Sequence, residues 1–310
     1  MNVIICGVVK DCGKYLENNI RNVFQLGNLF NKCKIVIYEN NSSDNTRQIL
    51  HKYNRFITTI SENVEYTKEK SKIWAYTAVT GSNHPCRIEM ICNARNRLMD
   101  ELAKPEYNEY DIIVMIDFDS LGFNIQGIRD SVEIVQKNPK SVIYANSPKY
   151  YDFFALRSEH SQFSVFGPEV LGEVFQGHIK QMKHKQIIHP NKLNPVYSAF
   201  GGIGVFNRSA IVEEGVRYDC IVNEDVKNVY RLLFKKYEKL YEKYRSVVEK
   251  DCPHYRGGIK DEETAVIWKN NSGYDAPVIC EHVVFNFSLI LKGYQPYINP
   301  RMTYLQSGHR

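Results

Sequence analysis

The feature that most constrains this chain is the alternation, up to residue 120, of fully apolar strand-like runs with segments of helical periodicity. Val3 to Val9 is continuous and β-rich, the pattern of a strand buried on both faces of a parallel sheet. Tyr15 to Leu29 then spaces Leu16, Ile20, Val23 and Phe24 as on a helix. Lys34 to Glu39 restores the strand pattern. Asn40 to Asn45 is a polar turn with Ser43 and Asp44 as N-cap candidates, and Thr46 to Tyr53 predicts the next helix. A helix over Ile88 to Leu102 leads into the apolar strand Asp111 to Ile116. The pattern predicts an α/β, Rossmann-like fold: a mostly parallel central sheet flanked by helices, with its ligand beyond the carboxyl ends of the strands.

The second half is less regular. It predicts a helix over Asn124 to Lys137, a strand over Ser141 to Asn146, an aromatic-rich stretch from Tyr150 to Phe166, and a strand from Gly201 to Phe206 whose glycines suit close backbone approach. Val226 to Lys250 reads as one long charged helix with Val229, Leu233, Tyr237, Leu240 and Tyr244 in its apolar stripe.

Composition narrows the function classes. The net charge of +5 is mildly basic, suiting an anionic small ligand and not a nucleic acid. The first apolar run has no basic stretch before it and breaks at Lys10-Asp11, and no later run reaches the length of a membrane span. This predicts a chain without signal peptide or transmembrane segment, cytoplasmic, either free or peripheral to a membrane. The eight cysteines form no CxxC pair, which predicts free thiols and no structural zinc.

The candidate chemistry starts at Asp117-Phe118-Asp119, directly after an apolar strand. Two carboxylates one residue apart are hard oxygen ligands suited to Mn²⁺ or Mg²⁺ holding a diphosphate, and a strand end is where such sheets bind ligands. An aspartyl-phosphate phosphatase also uses paired aspartates, but on the first strand, and here more than a hundred residues precede them. Glu39 and Asp44 flank the turn after the second strand; they either accept hydrogen bonds from a nucleoside or serve a well-capped turn. Arg95, on the helix before the acidic strand, either pairs with phosphate oxygens or is a surface arginine.

Taken in order, these stretches resemble a GT-A nucleotide-sugar glycosyltransferase, and within that class the fungal capsular α-1,3-mannosyltransferase family. The resemblance rests on Ile37 to Thr46, Ala94 to Leu98 and Tyr151 to Arg157, and runs through most of residues 1–210. That family often has Asn-Asp-Val where this chain has Asp117-Phe118-Asp119, so the donor sugar is not carried over by the motif.

The resemblance implies a single GT-A domain over residues 1–310, with a nucleotide-binding half (1–120) and an acceptor half (121–310) bearing a helical insertion at about 224–252. It places Val8, Glu39 and Asp44 against the nucleoside, Arg95 near the diphosphate, and Asp117 and Asp119 at the metal. Tyr151, Asp152 and Arg157 fall on the sugar or acceptor side, and Gly201 and Gly202 in a glycine-rich segment that lets the sugar approach. Glu281 and His282 resemble the acidic acceptor-site element, with Glu224-Asp225 as a rival pair. His309 competes with His282 as a metal-binding histidine.

The expected reaction moves a hexose, mannose before others, from GDP-mannose or a UDP-hexose to a hydroxyl of a glycan, glycolipid or glycoprotein, with retention of anomeric configuration. Two other classes stay open. A sugar nucleotidyltransferase would want a Gly-rich, Arg/Lys-bearing loop after the first strand, where Gly7 to Lys14 offers only Gly7, Gly13, Lys10 and Lys14. A non-catalytic glycan-binding protein would have no use for the acid pair.

Overall fold

The computed structural model describes residues 1–77, 82–147, 150–159, 165–175, 177, 189–248, 255–261, 263, 266–271, 274 and 276–307. The strands are β1 (Asn2–Val9), β2 (Lys32–Asn40), β3 (Thr58–Glu62), β4 (Trp74–Thr77), β5 (Ser82–Pro85), β6 (Ile112–Ile116), β7 (Ser120–Phe123), β8 (Ser141–Asn146), β9 (Asn194–Pro195), β10 (Ile203–Asn207), β11 (Tyr255–Lys260), β12 (Ile267–Asn271) and β13 (Gln295–Gln306). The helices are α1 (Gly13–Gly27), α2 (Thr46–Lys52), α3 (Arg87–Leu102), α4 (Ile125–Lys137), the short α5 (Pro168–Leu171) and α6 (Ser209–Val212), then α7 (Glu224–Lys236), α8 (Glu238–Val248) and α9 (Glu281–Leu291).

The main sheet runs β3-β2-β1-β6-β10-β8-β13-β7, with β9 on β13. Strands β3, β2, β1 and β6 are mutually parallel, β10 reverses between β6 and β8, and β13 lies parallel to β8. The sheet is therefore mostly parallel, as the alternating pattern predicts, with antiparallel insertions in its second half.

The apolar runs have a direct physical cause. Ile4, Cys6, Val36, Tyr38, Ile113 and Met115 face one core with Leu98 and Met99 of α3. Val3, Ile5, Ile35, Ile37, Ile112 and Val114 face the other with Leu16, Ile20 and Val23 of α1. Successive side chains alternate faces, so a strand covered by helices on both sides is apolar at every position.

The chain leaves β1 outward to β2 and β3, then returns to the other side of β1 as β6. The crevice beyond the carboxyl ends of β1 and β6 is thus the point where strand order reverses, the usual ligand position of such sheets. Close backbone approach there demands glycine: a Cβ on Gly7 would sit 2.2 Å from the Ile116 carbonyl oxygen and 2.7 Å from the Phe118 ring.

Three expectations change. The long helix over Val226 to Lys250 is two helices, α7 and α8, broken at Tyr237 (φ −119°, ψ 31°), whose carbonyl accepts from Leu240 and Tyr241. Gly201 and Gly202 form a turn at φ +64° and +89°, so the strand begins at Ile203. Neither Ser43 nor Asp44 is the N-cap of α2; that residue is Asn45, and Asp44 supplies a carboxylate oxygen to the Thr46 N–H at 2.9 Å.

Candidate active site

Asp117-Phe118-Asp119 leaves the end of β6 with Phe118 buried between its neighbours. Both carboxylates line a cavity of about 390 Å³ shared with Val8, Lys10, Asp11, Asn40, Arg87 and Arg95. The Asp117 N–H donates to the Gly202 carbonyl at 2.9 Å, and the Tyr304 hydroxyl donates to Asp119 Oδ1 at 3.0 Å. Burial, and then the charges of Asp117 and Asp119, push the Tyr304 phenol far above its ordinary pKa, so it stays a neutral donor.

A second cavity of about 370 Å³ adjoins the first, with Tyr151, Asp152, Phe154, Phe200, Glu281 and His282 in its walls. Arg87, Ile91, Arg95 and Asp117 line both and form the seam between them.

Arg95 is the buried hub of this seam. Its Nη1 donates to Glu281 Oε1 at 2.6 Å and lies 2.6 Å from His282 Nε2, while Nη2 donates to Asp117 Oδ1 at 3.3 Å. A guanidinium only donates, so His282 Nε2 is the acceptor and any ring proton sits on Nδ1. The Phe200 and Tyr218 rings lie 4.9 and 5.3 Å from the Arg95 guanidinium, and His282 stacks on Phe200 at 3.8 Å. Burial works against the Arg95 charge, but Glu281 and Asp117 more than offset it and raise its pKa. The expected Arg95 phosphate contact therefore faces a side chain already committed to three partners.

Val8, Asp117 and Asp119 thus line the first cavity together, and Tyr151, Asp152, Glu281 and His282 line the second. Glu39 and Asp44 line neither cavity. Glu39 is fully buried and accepts from the Ser42 N–H at 2.8 Å, from Arg47 Nε at 2.6 Å and from the Ser61 hydroxyl. Asp44 accepts from the Gly13 and Thr46 N–H groups, tying the starts of α1 and α2 together. Both acids thus bond within and beside the loop, and it is Asn40 of this segment that lines the cavity. Asp11 and Asn41, beside it, are held at φ +48° and +55°; for Asp11, the Ser43 N–H bonds its carboxylate at 2.6 Å.

Gly201 and Gly202 do not line the cavities but hold residues that do: the Gly201 N–H donates to Asp152 Oδ2 at 3.1 Å, and Gly202 anchors Asp117. Arg157 is moved from the sugar side to the core, bonded to Glu169 at 2.7 and 2.9 Å and to the Tyr230 hydroxyl at 3.0 Å. Glu224 pairs with Lys227 on the surface and Asp225 accepts from Ser288, and neither acid of the rival pair lines either cavity. His309 lies outside the described residues. Sequence reasoning missed Tyr304, Asn40 and the cavity role of Arg87; only Arg87 had a local signal, standing two turns before Arg95 on one helix.

Whether the acid pair suits a divalent cation follows from its surroundings. Among the described residues no cluster of three or more His, Cys, Asp or Glu side chains could enclose a metal. Mg²⁺ and Mn²⁺ sites of nucleotide enzymes use one or two carboxylates and complete their shell with substrate phosphate and water. Asp117 and Asp119, open to the cavity, fit such a donor-completed site.

An acid pair in the switch-point crevice of a mostly parallel sheet, opening onto a second cavity with its own acids, is the arrangement expected of an α/β protein of the GT-A class. The chain belongs to the family described as Cryptococcal mannosyltransferase 1, the CAP59 mannosyltransferases, whose model matches residues 2–242. No curated protein sequence matches it. Among solved structures, similarity extends to TarS of S. aureus (10% identity, 71% of this chain and 50% of that one, TM-score 0.39). It also extends to the mannosyltransferase PcManGT of Pyrobaculum calidifontis in complex with GDP-Man and Mn²⁺ (12%, 70% and 47%, TM-score 0.40). A third is glucosyl-3-phosphoglycerate synthase of Mycobacterium tuberculosis in complex with Mn²⁺, UDP and glucosyl-3-phosphoglycerate (11%, 78% and 67%, TM-score 0.38). The chain spans about half the length of the first two.

Proposed function

We propose that this chain is a metal-dependent glycosyltransferase that moves a hexose, mannose before others, from GDP-mannose or a UDP-hexose to a hydroxyl of a glycan, glycolipid or glycoprotein, with retention. The observation that carries the reading is the seam: the acid pair faces one cavity, Glu281 faces the next, and Arg95 joins Asp117 to Glu281. Residues 1–120 supply most of the donor side and residues 121–310 most of the acceptor side. A divalent cation bound by Asp117 and Asp119 would neutralise the diphosphate as it departs.

The chain's own residues then have distinct tasks. Arg95 keeps the Glu281 carboxylate oriented, so that it accepts a hydrogen bond from the acceptor hydroxyl and positions it. Asp152, fixed by the Gly201 N–H, faces the same cavity and takes a second hydroxyl. Tyr151 and Phe154 supply ring faces for a sugar. Retention removes the need for a strong base, since the departing phosphate oxygen takes the acceptor's proton.

The test is nucleoside diphosphate release from GDP-mannose and from UDP-hexoses, with Mn²⁺ or with EDTA. We expect release from one donor class, abolished by EDTA and reduced by about 100-fold or more in Asp119→Ala, the scale of losing a group that stabilises transition-state charge. Glycan binding without release from any donor would contradict the reading.

A further inference from the structure

We infer that Arg87, rather than Arg95, is the side chain that grips the departing diphosphate; the inference rests on the glycosyltransferase reading above. Among the described residues three cationic side chains line the donor-side cavity: Lys10, Arg87 and Arg95. Arg95 is spent on Glu281, His282 and Asp117, and its Nε is buried. Drawing its fork onto phosphate would leave Glu281 uncompensated in the interior. Lys10 is exposed and belongs to the first cavity alone.

Arg87 differs on each count. It is exposed, has no carboxylate partner among the described residues, and lines both cavities. Residues 87, 91 and 95 stand four apart on α3, so Arg87 lies two turns from Arg95 on the same face with Ile91 between them. Ile91 lines both cavities as well, which makes this face the wall along which donor and acceptor meet.

That position matches where charge develops. The bond from the sugar's anomeric carbon to the phosphate oxygen breaks with its electron pair staying on phosphate. A bond from the same carbon to the acceptor oxygen forms, and the acceptor's proton ends on the diphosphate. The growing negative charge lies at the seam, and a planar guanidinium with no carboxylate partner among the described residues can meet two phosphate oxygens at once. Position 87 in the first turn of α3 adds the positive end of a 16-residue helix to the same place.

The test is calorimetric titration of GDP, UDP, guanosine and uridine, in saturating Mn²⁺, into the wild type, Arg87→Met, Arg87→Lys and Asp119→Ala. Arg87→Met should weaken binding of the cognate diphosphate by about 10- to 100-fold, the scale of a lost charge-assisted contact. Nucleoside affinity and melting temperature should not change, and Arg87→Lys should recover part of the loss. Diphosphate binding that is lost in Asp119→Ala but kept in Arg87→Met would overturn the Arg87 assignment alone. A wild type that binds neither diphosphate would overturn the glycosyltransferase reading and this assignment with it.

Discussion

Arg95 illustrates how one buried side chain can hold the acids of two cavities in place. Its charge sits in the interior only because Glu281 and Asp117 face it, and it in turn keeps those carboxylates from being stranded. Arg95→Met should therefore destabilise the fold by about 3–5 kcal/mol, the scale of breaking a buried ion pair. Urea denaturation checks this: a midpoint unchanged from wild type would mean that the pairing is dispensable. The same residue shows where sequence reading stops. Asp117 and Asp119 are legible because their strand and their spacing are local, and Tyr151 and Asp152 line the same cavity as Glu281 and His282. Two of the three partners of Arg95 stand 186 and 187 residues further along, so no local pattern records that its donors are taken. Glu39 shows the converse, since an acid after a strand looks alike whether it faces a ligand or is sealed under its own loop.

The loop from Asn40 to Asn45 behaves as an element because the buried Glu39 and the exposed Asp44 both bond its backbone and its neighbours. Burial alone would raise the Glu39 pKa, but hydrogen bonds from Ser61, the Ser42 amide and Arg47 outweigh it and pull the pKa below the ordinary value. Asp44 follows the same pattern: burial opposes the charge, and bonds from Thr46 and the Gly13 amide prevail. A carboxyl whose folded pKa is depressed contributes stability that is present above its unfolded pKa, about 4, and lost as pH falls through the folded value. Melting temperature should accordingly fall on acidification below about pH 5, and Glu39→Gln should flatten that fall. An acid limb of the same slope in the variant would place the linkage elsewhere. Among elements, β1, β2, β6, α3 and α4 were legible from periodicity. The break between α7 and α8 was not, because neither glycine nor proline marks Tyr237. Tertiary contacts mark it instead: Glu159 accepts from the Tyr237 hydroxyl at 2.6 Å and from Lys236 at 2.8 Å.

At the scale of the whole molecule, the sheet carries the site across the chain. Strand β13 pairs with β8, β7 and β9, and from it Tyr304 reaches back to Asp119. Helix α9 brings Glu281 and His282 against α3, so the second cavity and the ion pairs of the seam are completed by residues from the far end of the sequence. The α/β class was legible from the first 120 residues, whereas the antiparallel reversal at β10 and the return of β13 were not, since pairing between distant strands leaves no periodic signature. Among the described residues no helix is long and apolar enough to cross a membrane. The central claim, that the acid pair and its cavity bind a nucleoside diphosphate through a divalent cation, is tested most directly by thermal shift. Wild type and Asp119→Ala would be melted with GDP, UDP, GDP-mannose and UDP-hexoses, each with and without Mn²⁺. Ligand at about 100 times its Kd should add about 2.7 kcal/mol, a rise of several degrees. The account predicts that rise for one base, only with Mn²⁺ and only in the wild type; an equal rise in Asp119→Ala, or none with any nucleotide, would contradict it.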